Sequence, residues 1–221
     1  MGNNMEQQKV QKTEPDMVKI GERISCIMPT TDPLSSNVAV IEGKENIWLY
    51  DVGKHPRIPA MIAELKAHTG KNLVVILSHF HPDHIGNLSE IEYEKLYVGK
   101  NTYRYTHCGE IIEHEVWVKD GEVTFCIFPI PSSHAKGSLA LEVNESCCFW
   151  GDALYPAYKH EHAFYNVGIL REQIKVVQDI AAPEFMLSHK KILLQKKQGV
   201  LAWLKSIYAK RSEGEAWIEV Q

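Results

Sequence analysis

At 221 residues, with 44% hydrophobic and 24% charged positions, the chain has room for one sizeable core and the composition of a globular protein. A net charge of −4 and a pI near 6.3 give no electrostatic pull toward nucleic acid or an anionic membrane, and no apolar run approaches the roughly 20 residues a bilayer span needs. The five cysteines (Cys26, Cys108, Cys126, Cys147, Cys148) are odd in number and lack C-x-x-C spacing, which predicts reduced thiols and a cytoplasmic protein.

The opening stretch MGNNMEQQKVQKTE is polar and lacks the apolar core of a signal peptide, and Glu6 stands where a myristoylation signal takes Ser or Thr. Residues 1–16 are therefore expected to be a disordered tail, with one domain over 17–221. Residues 22–29, 36–43 and 46–53 read as strands, being β-prone runs broken by Gly, Asn and Lys. Residues 58–70 carry apolar positions at helical spacing and end in Gly, which predicts an amphipathic helix. The run NLVVILS (72–78) is apolar on both faces, as a buried strand is. Residues 95–99 predict another strand, and 114–130 a hairpin turning at Asp120-Gly121. Residues 138–144 and 147–152 form a further hairpin, followed by a helix near 169–182, a strand over 184–188 and a helix near 196–210. Each half thus supplies several strands and then helices, which suits two sheets packed face to face with helices outside.

Directly after the buried strand comes SHFHPDHIGN (78–87), three histidines and an aspartate within six positions. On a chain leaving a strand, His79 and His81 project from the same side and can reach one ion. Pro82 holds His81 extended and then favours a turn, which carries Asp83 and His84 toward a second ion. One loop does not complete two coordination shells. His134, Asp152 and His189 each follow a predicted strand, where rigid scaffolds present functional side chains. Taken singly, each is ordinary surface or turn chemistry; beside the histidine-rich loop the three read as further ligands. His55, His68, His107, His114, His160 and His162 have no such support.

These residues resemble the metallo-β-lactamase fold superfamily. Its H-x-H-x-D-H motif matches His79-Phe80-His81-Pro82-Asp83-His84, its upstream Asp matches Asp51 in LYDVG, and its later His, Asp and His match His134, Asp152 and His189. The resemblance implies a four-layer αβ/βα sandwich with two mixed sheets face to face. It implies that His79, His81 and His134 hold one metal, that Asp83, His84 and His189 hold a second, and that Asp152 bridges them. Asp51 would orient the ligand loop from behind. Imidazole and carboxylate donors suit two divalent ions, with Zn(II) preferred and Fe or Mn compatible. Two such ions roughly 3.5–4 Å apart lower the pKa of a shared water toward about 7, and the resulting hydroxide attacks a carbonyl or phosphorus centre. Asp83 is expected to orient that hydroxide. Tyr155, three residues beyond Asp152, matches a tyrosine that the lactonase branch brings to its substrate, and is expected to protonate the leaving group.

The same motifs narrow the substrate. Zinc β-lactamases are exported and place Cys at the second metal, and di-iron flavoproteins place Glu where this chain has His81. Glyoxalase II relatives add a helical domain, whereas 32 residues follow His189 (221 − 189). Nucleases of the family add RNA-gripping insertions, and Lys190, Lys191, Lys196 and Lys197 read as a solvated helix face rather than an anion patch. The expectation is a hydrolase of a small carbonyl ester, lactone or thioester, with no nucleic-acid or membrane partner. A phosphodiesterase, an iron-dependent persulfide oxygenase and a non-catalytic metal sensor are the alternatives. Tyr158, Phe164 and Tyr165, with His160 and His162, would either wall a pocket beside the metals or pack a loop on the core.

Overall fold

Alternation along the strands decides how the layers stack. In the computed structural model, which describes residues 14–190 and 192–220, a seven-stranded sheet has the order Met17–Lys19, Ile24–Ile27, Val38–Glu42, Asn46–Tyr50, Asn72–Ile76, Lys95–Val98, Glu110–Ile111. A six-stranded sheet has the order Val116–Asp120, Val123–Ile130, Ser138–Val143, Cys147–Gly151, Glu184–Leu187, Gln195–Lys196. Both are mixed: Asn46–Tyr50 runs parallel to Asn72–Ile76, and Cys147–Gly151 parallel to Glu184–Leu187, while the hairpins are antiparallel.

Side chains of period two then sort into three cores. Trp48, Tyr50, Val74 and Ile76 of the first sheet meet Phe125, Ile127, Leu141 and Phe149 of the second. The Trp48 and Phe125 rings stack there at 4.1 Å. The alternate residues Ile47, Leu49, Leu73 and Val75 point the other way, onto Ile58 and Ile62 of helix α1 (Ile58–Thr69). Cys126, Phe128, Cys148 and Trp150 likewise point outward, onto helices α4 (Val167–Asp179) and α5 (Lys197–Tyr208). Between these in the chain lie the short helices α2 (Pro82–Ile85) and α3 (Lys100–Thr106). The result is a helix–sheet–sheet–helix sandwich.

Helix α4 shows how local sequence sets an element. Asn166 caps it, its side chain accepting from the Ile169 N–H at 3.0 Å, and Leu170, Ile174 and Val177 form the buried stripe. It ends at Asp179, three residues before the predicted boundary, because Ile180 turns into extended backbone ahead of Pro183. The region expected as a loop after Asp152 holds a hairpin, Ala157–Lys159 and His162–Asn166, which the strand Trp217–Val220 extends to three strands.

Of the expected tail, residues 1–13 lie outside the described residues. Residues 14–16 lie against the body: Pro15 is buried and the Asp16 carbonyl accepts from the Met28 N–H at 2.8 Å. Among the described residues no helix is long and apolar enough to cross a membrane. All five cysteines are free, and four of them are buried.

What positions a site is the shared polarity of the parallel strand pairs. In the first sheet they lead into Asp51 and the loop beginning at Ser78; in the second they lead into Asp152 and Ser188-His189. The carboxyl ends of parallel strands are where α/β sheets present their ligand-binding residues, and here two such ends meet.

Candidate metal centre

The ends can meet because the backbone allows it. Gly151 has φ of +54°, and a Cβ there would lie 2.6 Å from the Ser78 side chain, so glycine is required where the sheets touch. Two residues beside this contact, Asp51 (φ +64°) and His189 (φ +62°), hold the left-handed backbone that non-glycine residues avoid. Such strain survives only where surroundings enforce it and gathers at functional positions. For His189 the enforcing group is Asn37, a buried side chain whose Oδ1 accepts the His189 N–H at 2.8 Å.

The structure brings together all seven residues expected as ligands. His79 Nε2 lies 3.0 Å from His81 Nδ1, and His134 Nε2 lies 3.0 Å from the same atom. His84 Nε2 lies 3.3 Å from His189 Nε2, and Asp83 Oδ2 is 3.1 Å from His189. Asp152 sits between the groups, its Oδ2 3.4 Å from His134, 3.4 Å from His84 and 3.5 Å from His189. Three overlapping sets could each hold an ion: His79, His81 and His134; His79, His84 and Asp152; Asp83, His84 and His189.

Tautomers follow from the groups behind the rings. His134 Nδ1 faces the Pro156 carbonyl at 3.1 Å, which can only accept, so the proton sits on Nδ1. His84 Nδ1 faces Asp51 Oδ2 at 2.7 Å and donates likewise. Ser78 gives its hydroxyl proton to Asp51 at 2.7 Å and so accepts from His79 Nδ1 at 3.0 Å. In their neutral form all three rings turn an Nε2 lone pair inward, the form in which imidazole binds a metal.

Such facing lone pairs repel unless a proton or a cation lies between them. Burial disfavours a charged His84, but the Asp51 and Asp152 carboxylates outweigh it and push its pKa up to about 10; burial opposes Asp152 and Asp83 in the same way at His189, which reaches about 9. At His79, burial and the neighbouring imidazoles keep the ring well below its usual value. Asp152 is held far below the carboxylate range, because hydrogen bonds from His189 and His84 overcome its burial, and its Oδ1 is buried without a partner among the described residues. Five imidazoles, two carboxylates and one orphaned oxygen converging on one space fit a pair of divalent ions.

Asp51 lies behind this set. Fully buried, it accepts from the Ser78 N–H at 2.8 Å as well as from Ser78 and His84 side chains. Asp51→Asn keeps the shape but places a donor against donors, and should weaken metal binding by roughly 10–100-fold, the usual effect of losing an outer partner. Chelator competition measures it; unchanged affinity would remove Asp51 from the centre.

A cavity of about 410 Å³ opens over the cluster, lined by His81, Asp83, His134, Asp152 and His189, with Leu34, Tyr155, Tyr158 and Lys190 around its mouth. Tyr155 reaches this wall with its ring, but its hydroxyl donates to the Ser188 carbonyl at 2.7 Å. A phenol has one proton, so in this arrangement it is not offered to a leaving group. Of the other aromatics, Tyr158 alone lines the cavity. Tyr165 is buried in the outer core, and His162 pairs with Glu219 on the far side of the hairpin. Lys196 pairs with Glu184 and Lys197 donates to the Gln178 and Ile180 carbonyls, so neither belongs to an anion patch; Lys191 lies outside the described residues.

Sequence reasoning passed over Asn37, Ser78 and Gln173. Each is a buried polar residue of the scaffold, and only Ser78, adjoining the motif, had a neighbour that signalled its use.

The comparisons agree with this geometry. A family model described as the metallo-beta-lactamase superfamily matches residues 31–95. Among curated proteins none matches the sequence significantly. A β-lactamase domain protein from Burkholderia ambifaria is 16% identical, with a TM-score of 0.68 over 88% of this chain and 74% of that one. A metallo-β-lactamase from Pontibacter korlensis is 14% identical, with a TM-score of 0.65 over 90% of this chain and 100% of that one. The flavodiiron protein from Giardia intestinalis is 13% identical with a TM-score of 0.68, covering 90% of this chain, which spans 60% of that protein. At such identities the likeness is one of fold. With the histidine-rich loop inside the matched segment and the same sandwich around it, the chain has the metallo-β-lactamase fold.

Proposed function

We propose that the protein is a metal-dependent hydrolase of a small carbonyl ester, lactone or thioester, working in the cytoplasm with two ions, Zn(II) by preference. The observation that carries this reading is the inward-facing set of imidazole nitrogens and carboxylates at the floor of an open cavity. His79, His81 and His134 would hold one ion, Asp83, His84 and His189 the other, with Asp152 between. Bound there, the ions would supply Lewis acidity and a water acidic enough to be a nucleophile at neutral pH.

The remaining work falls to the chain. Burial opposes the charge on Asp83, but His189 and His84 hold its carboxyl below the ordinary range, so it stays ionised and can take and orient the proton of the attacking water. Leu34 and Tyr158 give the mouth an apolar rim, and a volume near 410 Å³ suits a small substrate. Tyr155 holds the Ser188 carbonyl and thereby the approach to His189.

Purified protein should carry two metals per chain and turn over at least one member of a panel of lactones, thioesters, aryl esters and phosphodiesters. Turnover confined to phosphodiesters would replace the proposed bond type, and metal without any turnover would favour a sensor. Tyr155→Phe should slow substrates with good and poor leaving groups alike, by less than the ~100-fold typical of a lost general acid. A loss confined to poor leaving groups would restore its role as proton donor.

A further inference from the structure

We propose that Gln173 is a positioning residue of the metal centre, setting the orientation of the His134 ring through the spacing of two loops. The inference rests on reading the cluster as a metal site. Gln173 projects from α4, is fully buried, and directs its side-chain hydrogen bonds to the backbone rather than to the cluster. Its amide nitrogen donates to the Pro131 carbonyl at 2.8 Å and to the Ala153 carbonyl at 2.6 Å. Pro131 opens the loop that carries His134, and Ala153 follows Asp152. One amide group, with both its hydrogens in use, therefore ties the two loops together where each leaves the second sheet.

The His134 ring spans the same gap. Its Nδ1–H reaches the Pro156 carbonyl in the Asp152 loop, and that bond aims Nε2 at His81 and Asp152. If the loops part, the ring must turn or give up the bond. A second tie runs alongside, the Asn166 N–H donating to Ser133 Oγ at 3.1 Å just before α4 begins. The Gln173 Oε1, meanwhile, is buried with no partner among the described residues. An apolar side chain of similar size would avoid that orphaned acceptor, so packing alone does not account for glutamine here; its two donors do.

The test is zinc affinity of the full-length protein by competition with a chromophoric chelator, together with the visible spectrum of the Co(II)-loaded form. Gln173→Leu should weaken one of the two zinc sites by roughly 10–100-fold and shift the Co(II) bands. In a His134→Ala background the same change should alter affinity by less than about twofold, because its effect runs through that ring. Equal losses in both backgrounds, or a lowered melting temperature with unchanged affinity and spectrum, would overturn the proposal. Gln173→Met keeps the side-chain length and serves if the leucine variant does not fold; failure of both would mark Gln173 as scaffold and equally overturn it. Wild type that binds no zinc would refute the metal-centre reading itself, whereas wild type with two zinc ions and unaffected variants would refute only the role of Gln173.

Discussion

Asp152→Ala should reduce bound metal from two ions to at most one per chain and depress turnover by more than the roughly 100-fold that loss of an outer partner brings. The reason is its place. Among the described residues no other carboxylate lies within 3.5 Å of imidazoles from both triads, His134 on one side and His84 and His189 on the other. Two dications held by the neighbouring triads would repel strongly, and the Asp152 carboxylate shared between them would offset that repulsion. The fold should tolerate the change, since among the described residues the Asp152 side chain makes no hydrogen bond to the scaffold and one of its oxygens has no partner. Elemental analysis after dialysis, with circular dichroism to confirm folding, measures both halves of the prediction. Two metals retained, or unchanged turnover, would take Asp152 out of the centre.

The second large effect lies at the opposite end of the sandwich. Asp120 accepts four hydrogen bonds: from the Glu45 N–H at 2.8 Å, and from the Asn46 N–H, the Asn46 side chain and the Trp48 indole at 3.0 Å each. The donors lie in or just before strand Asn46–Tyr50 of the first sheet, and the acceptor lies in the second. The approach is so close that a methyl group on Gly43 would overlap the carboxylate. Removing Asp120 leaves donors near or in the core unpaired, at about 1–3 kcal/mol for each one that water cannot reach. Asp120→Ala should therefore lower unfolding stability by about 3 kcal/mol, or roughly 6–12 °C in melting temperature for a chain this size. Burial pushes the Asp120 carboxyl up, but the indole and amide donors outweigh it and hold it below the ordinary range. A depressed carboxyl contributes fully above its unfolded value and loses that contribution as pH falls through the folded one. The gap between wild type and variant should accordingly be widest near neutrality and close in acid. A variant that melts within 2 °C of wild type at pH 7 would contradict this.

Much of the architecture was legible because its period is short. Strands such as NLVVI and helices such as α4 declare themselves through residues two or four apart, and the histidine-rich loop does so within six positions. His134, Asp152 and His189 could be suspected because each follows a strand. The hairpin at 157–166 was missed because its third strand, Trp217–Val220, comes fifty residues later, and a short exposed ribbon has little apolar alternation of its own. Asp120 read as turn chemistry because its partners lie over seventy residues upstream. Tyr155 read as a proton donor because a sequence shows that a hydroxyl exists and not which carbonyl has claimed it.

The position of Asp120 bears on what happens when metal is withdrawn. Strands Asn46–Tyr50 and Val123–Ile130 both start beside its network and finish at the mouth, one at Asp51 and the other at the loop leading to His134. The molecule resembles a book, stitched along its spine and open at the fore-edge. Stripping the ions should splay the pages only there, so an emptied chain keeps its binding and can be refilled.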